Sequence, residues 1–129
     1  MNKTKSFMNE KRQDSDSPAV IRQGWRYHHL GIPTDIPQPG ERYLKQFKMF
    51  VAGFEESPYG IEWMRFEPDS PVSELIRTVP HIAFEVENIE VAIQGKELLS
   101  EISSPSTGVR VAMIKNNGAP VEVLEFTKK

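Results

Sequence analysis

From Trp25 to Thr34 apolar and polar positions alternate with the two-residue period of a strand. Trp25, Tyr27, His29 and Gly31 fall on one face, and Arg26, His28, Leu30 and Ile32 on the other. Pro33 and the Pro37-Gln38-Pro39-Gly40 cluster end it. Glu41 to about Lys45 reads as a short helix, because Tyr43, Leu44 and Phe47 share a face, and Phe47 to Phe54 reads as a strand. The turn-forming run Glu55-Glu56-Ser57-Pro58-Tyr59-Gly60 then leads into a strand over Ile61 to Phe66. Glu67 to Pro80, with three prolines, reads as a linker. A strand follows over His81 to Val86, and Asn88 is placed to cap a helix from Ile89 to about Gly95. Leu98 to Ser103 reads either as extended chain or as more of that helix. Val109 to Lys115 and Val121 to Phe126 form a hairpin across Asn116-Asn117-Gly118, where Asn-Gly supplies the positive φ angles of a tight turn.

The pattern repeats. His29-Leu30-Gly31-Ile32 and His81-Ile82-Ala83-Phe84 share the order His, apolar, small, apolar. Each is followed by a strand with a central glutamate, Ile61-Glu62-Trp63-Met64-Arg65-Phe66 and Val121-Glu122-Val123-Leu124-Glu125-Phe126. The chain thus reads as a duplication, with halves of about 21–70 and 78–129 that each supply one His and one Glu. Residues 1–20 are polar, with scattered apolar positions too few to offset the entropy of ordering, and read as a disordered tail before a single domain over 21–129.

Composition narrows the chemistry. The 129 residues suffice for one core, and a net charge of −2 without a long basic block gives no footprint for nucleic acid. No apolar run reaches the roughly 20 residues of a membrane helix, and the N-terminus lacks the apolar stretch of a secretory signal, so a cytoplasmic location is expected. With zero cysteines, thiol catalysis and thiolate metal sites are excluded, and any metal must be held by nitrogen and oxygen.

Leu30 beside His29, Ile61 and Trp63 around Glu62, Ile82 beside His81, and Val121 and Val123 around Glu122 place large apolar groups on the opposite face of each strand. If that face packs beneath helices, His29, Glu62, His81 and Glu122 point together to the other. Two imidazoles and two carboxylates suit a divalent transition metal such as Zn, Ni, Co, Mn or Fe. Taken singly, each His is equally an ordinary hydrogen-bonded core residue and each Glu an ordinary strand position. Arg65 and Arg110 are candidate anchors for an anionic substrate, or solvated arginines. Glu85 shares the face of His81 as a supporting or rim carboxylate. Trp25, Tyr27, Trp63, Met64 and Met113 are candidates to line an apolar pocket, or plain core.

The His at the start of one strand and the Glu in the last strand of each half resemble the vicinal oxygen chelate superfamily, which includes glyoxalase I, methylmalonyl-CoA epimerase, extradiol dioxygenases, and fosfomycin- and bleomycin-resistance proteins. The resemblance covers about Trp25 to Phe126. It implies an α+β fold of paired βαβββ modules curving into a cup, here with a shortened first module that has lost most of its helix and shows two strands after its first. It implies His29, Glu62, His81 and Glu122 as metal ligands, Glu62 or Glu122 as the proton shuttle, and a homodimer binding a small-molecule substrate. The chemistry implied is a lyase, isomerase or epimerase reaction in which a metal-chelated carbonyl is converted through an enediolate. Two alternatives remain within the superfamily: a drug-sequestering binding protein, and an Fe(II) dioxygenase using His29, His81 and Glu122. A strand bulge would exchange His28 for His29. The frame of His81 favours His29 in the cup, with His28 on the packed side or in solvent.

Overall fold

The computed structural model describes residues 17–127. Eight strands form one mixed sheet. They are β1 (Arg26–Pro33), β2 (Arg42–Leu44), β3 (Met49–Ala52), β4 (Ile61–Phe66), β5 (His81–Glu85), β6 (Glu97–Ser106), β7 (Val109–Asn116) and β8 (Ala119–Phe126). Their spatial order is β2-β3-β4-β1-β5-β8-β7-β6. This order is two copies of one arrangement meeting at the centre, where β1 and β5 run antiparallel. Within each copy the first strand pairs in parallel with the last, β1 with β4 and β5 with β8. The sheet curls until its two edges approach, and the Gln46 amide donates to the Ser104 carbonyl at 3.3 Å.

The convex side of the second module is covered as its sequence requires. Helix α3 (Ile89–Ile93) starts where the Asn88 side chain accepts from the Val91 N–H, and it buries Ile89 and Ala92. These pack with Trp25, Val86, Ala112 and Val123, and Ala19 of α1 (Pro18–Gln23) joins them. The expected tail thus falls largely outside the described residues, and its last positions open a helix that stops at Gly24 in the left-handed conformation, φ 73°. Asn117 and Gly118, at φ 51° and 82°, make the two-residue turn between β7 and β8.

Two elements differ from the sequence expectation, and at a third the structure takes the extended alternative. Glu41 to Lys45 is not a helix: Arg42–Leu44 is a strand that pairs with β3, with Tyr43 packed on Phe50 at 4.8 Å, and only Lys45–Phe47 turns as 3-10 helix. The cross-strand partners outweigh a weak helical period, so the first module has three strands after β1 rather than two. The expected linker contains α2 (Glu74–Thr78), capped by Ser73, whose hydroxyl accepts from Leu75 N–H. Leu98 to Ser103 lies wholly within β6.

The missing helix of the first module is real, since no helix lies between β1 and β2. In its place Glu41 grips Arg65 through two hydrogen bonds of 2.6 and 2.8 Å, and the guanidinium lies 4.3 Å from the centre of the Phe50 ring. No helix among the described residues is long and apolar enough to cross a membrane.

Arg65 holds the Glu41 carboxyl at a pKa of about 2, against an ordinary 4.5. The folded state therefore gains stability above pH 4.5 and loses it as the pH falls toward 2. Glu41→Gln is expected to lower Tm at neutral pH, and the gap to wild type should narrow steadily below pH 4.5 in thermal melts. A gap independent of pH would mean that the pair contributes only through shape.

Candidate functional site

The four central strands, β4, β1, β5 and β8, each deliver one of the expected residues to the concave face: Glu62, His29, His81 and Glu122. Register explains how they meet. Gly31 pairs with both Glu62 and His81, while Ala83 pairs with both His29 and Glu122. The small residue two places after each His therefore sits opposite the other module's His. Without a side chain on Gly31, the His81 ring lies directly over the backbone of β1, and a Cβ there would come within 2.6 Å of His81 Nδ1. Ala83, the partner of His29 across the same seam, is fully buried.

Three donor atoms converge. His29 Nε2 and His81 Nε2 are 3.3 Å apart, and Glu122 Oε1 lies 3.2 Å from the first and 2.9 Å from the second. Donors about 2.0–2.1 Å from one ion are separated by about 3.0 Å in octahedral and about 3.3 Å in tetrahedral arrangement, so this triangle has the size of a metal site. His29, His81 and Glu122 form a group able to hold a metal ion. Glu62 stands farther off, its Oε1 3.7 Å from His29 Nε2. His81 Nδ1 is buried with no hydrogen-bond partner among the described residues, so the polar contacts of that ring all lie on the cluster side.

The electrostatics divide the two carboxylates. Burial pushes Glu122 up, but hydrogen bonds from His29 and His81 outweigh it and hold the carboxyl at about 2. For Glu62 burial dominates, the Glu122 charge adds to it, and the pKa is raised despite His29. Burial pulls His29 down, but its hydrogen bond to Glu122 and the charges of both glutamates leave it raised.

His28 departs from expectation. The ladder between β1 and β5 slips between Tyr27 and His29, an extra residue that turns both histidines into the cup. The His28 ring stacks on Phe54, 4.9 Å between centroids, and its Nδ1 lies 2.8 Å from His29 Nδ1. With His29 donating from Nδ1, its Nε2 is fixed toward the cluster, the orienting job that a carbonyl or carboxylate does for many metal-binding histidines. The His-His pair was visible in the sequence, but two-residue alternation hid this role because only a bulge puts both rings on one side.

The bulge also removes Trp25 and Tyr27 from the pocket. Trp25 belongs to the convex core, and Tyr27 is half exposed, donating to the Tyr59 carbonyl. Met64 and Met113 do line the cup, a cavity of about 600 Å³, whereas Trp63 lines an adjoining crevice. Arg65 is engaged by Glu41, and Arg110 by Glu90 and Glu125 at 2.8 Å each. Neither lines the cavity, so neither serves as its anion anchor. Glu85 pairs with Arg26 at 2.9 Å, also away from the cavity lining.

No protein-family model matches the sequence, and no curated protein matches it. Solved structures do match in fold. A hypothetical protein from Bacillus halodurans C-125 superimposes with a TM-score of 0.63 at 21% identity, covering 81% of this chain and 96% of that one. Methylmalonyl-CoA epimerase from Mycobacterium tuberculosis superimposes with a TM-score of 0.57 at 16% identity, covering 80% of this chain and 89% of that one. The chain has the vicinal oxygen chelate fold. The three-donor cluster stands on the concave face of this curled sheet, within the lining of its cavity.

Gly31→Ala is expected to displace the His81 ring and weaken binding of a divalent ion at least tenfold in titration calorimetry; unchanged affinity would show that the close approach is dispensable. His28→Phe keeps the stacking surface and removes the acceptor, so affinity should fall about 10–100-fold. His28→Asn should restore most of it, and a Phe variant that binds like wild type would rule out the orienting role.

Proposed function

We propose that the protein is a metal-dependent lyase, isomerase or epimerase of the glyoxalase type, acting on a small substrate that chelates through a carbonyl oxygen. The observation that carries this reading is the triangle of His29, His81 and Glu122 at metal-site dimensions, on the face where a substrate has room. A divalent ion held there would supply Lewis acidity to the carbonyl oxygen and so acidify the neighbouring C–H. The epimerase chemistry named for the Mycobacterium tuberculosis structure belongs to this class.

The chain's own residues divide the remaining work. Glu122, kept ionised by both histidines, is the carboxylate suited to remain a ligand. Glu62, on the neighbouring strand and raised by burial, is the one suited to take a proton from carbon and return it. Its distance of 3.7 Å from His29 leaves it adjacent to the three donors without being locked among them. The walls of the cup around that carboxylate are largely apolar.

A second reading is favoured by the same triangle. Two His and one Glu, with Glu62 apart, are also the donor set of an Fe(II) dioxygenase. A drug-sequestering protein would use the cavity alone. Glu62 separates these readings, because only the first gives it a chemical task.

Purified protein is expected to hold about one divalent ion per chain. Glu122→Gln should lose it, while Glu62→Gln should keep it. With a series of small 2-oxo acids as probes, exchange of the proton on the carbon beside the carbonyl in D2O should fall at least 100-fold in Glu62→Gln. Exchange at the wild-type rate would sink the assignment of Glu62. Oxygen uptake with a catechol and Fe(II) would establish the dioxygenase instead, and ligand retention without either reaction the binding protein.

A further inference from the structure

The chamber above the cluster carries a charge pattern that proton transfer does not itself require. Phe47, Phe66, Met64, Met113, Val111 and Leu124 give it apolar walls. At its floor are the two glutamates. Among the described residues lining it, Arg42 is the only lysine or arginine. Arg42, an exposed residue, opens the edge strand β2, pairs with Val51 and lines the mouth of the cavity on the same side as Leu44.

Other arginines near the sheet have partners. Arg26 pairs with Glu85, Arg65 with Glu41, Arg110 with Glu90 and Glu125, and Arg77 donates to the Val72 carbonyl. Among the described residues the Arg42 guanidinium has no carboxylate within ion-pair distance and no hydrogen bond. It also lines the adjoining crevice of about 560 Å³, where Gln38, Glu55 and Ser57 make the wall more polar. Arg42 thus stands where an apolar chamber of about 600 Å³ opens toward a polar one. A chamber of this size holds a small organic molecule.

We infer that the cup takes an amphipathic monoanion, a carbonyl compound whose apolar body fills the chamber and whose single acidic group is held by Arg42. Placing the carbonyl end rests on the reading proposed above; the Arg42 end does not. A planar guanidinium meets a carboxylate through two parallel N–H donors, so the grip is directional as well as attractive. A polyphosphate head inside this chamber would find one cation facing two carboxylates, and is disfavoured. The apolar walls reject a small hydrophilic acid for the complementary reason, since its hydration would be lost without compensation.

Octanoate and 1-octanol share an apolar body and differ in charge, so they serve as probes. Binding is measured by titration calorimetry on metal-free protein, which separates the result from any failure of the metal reading. Wild type should bind octanoate, and Arg42→Gln should bind it at least tenfold more weakly. Affinity for 1-octanol should stay within twofold, and Arg42→Lys should recover part of the octanoate affinity. Equal octanoate affinity in wild type and Arg42→Gln would overturn the proposal, as would failure of wild type to bind octanoate. A parallel loss of 1-octanol affinity would also overturn it, by showing that Arg42 shapes the wall rather than holds an anion.

Discussion

The structure depends on one contact at its centre, the antiparallel pairing of β1 with β5 in which each module's histidine lies opposite the other's small residue. Gly31 accepts the His81 ring against its backbone, and the fully buried Ala83 lies opposite His29. A side chain at Gly31 would occupy the space that the His81 imidazole needs. The motif of His followed two residues later by a small residue is therefore a packing rule as much as a chemical one. It lets two symmetry-like strands place two rings within 3.3 Å of each other.

From that seam the outer strands follow. Parallel pairing of β4 on β1 and β8 on β5 sets Glu62 beside Gly31 and Glu122 beside Ala83, so all four residues lie on neighbouring strands of one curved face. The modules then diverge. The second has its helix over a fully buried core of Ile89 and Val123, while the first covers its convex side with Arg65 lying over Phe50. This module still lines the concave face, through Met49 and Val51 of β3 and Met64 of β4. A module can lose its helix and keep its contribution to the site.

The asymmetry extends to the glutamates. Glu122 meets both histidines and stays ionised, whereas Glu62 meets His29 at longer range and is raised by burial. Two residues equivalent in sequence thus sit in different electrostatic surroundings, Glu122 within 3.2 Å of both histidines and Glu62 at 3.7 Å from one. The bulge at His28 adds a second asymmetry, since His81 has no such neighbour and its Nδ1 stays unpartnered among the described residues. Only the first module offers its histidine an orienting ring.

The sequence by itself determined the duplication, most strand positions, the Asn117-Gly118 turn, the Asn88 cap and the placing of His29, Glu62, His81 and Glu122 on one face, while the structure set Glu62 apart from the other three. Those features rest on local chemistry and on a period of two, which a single chain displays directly. Tertiary structure decided what local pattern leaves open. Arg42–Leu44 became a strand because β3 lies beside it, and the bulge reversed the faces of Trp25 and Tyr27 relative to His29. Arg65 and Arg110 were withdrawn from the site by Glu41, Glu90 and Glu125, partners distant in sequence. Arg42, unremarked in the linear pattern, came to line the cavity because an edge strand's register is set by its neighbour and not by its own residues.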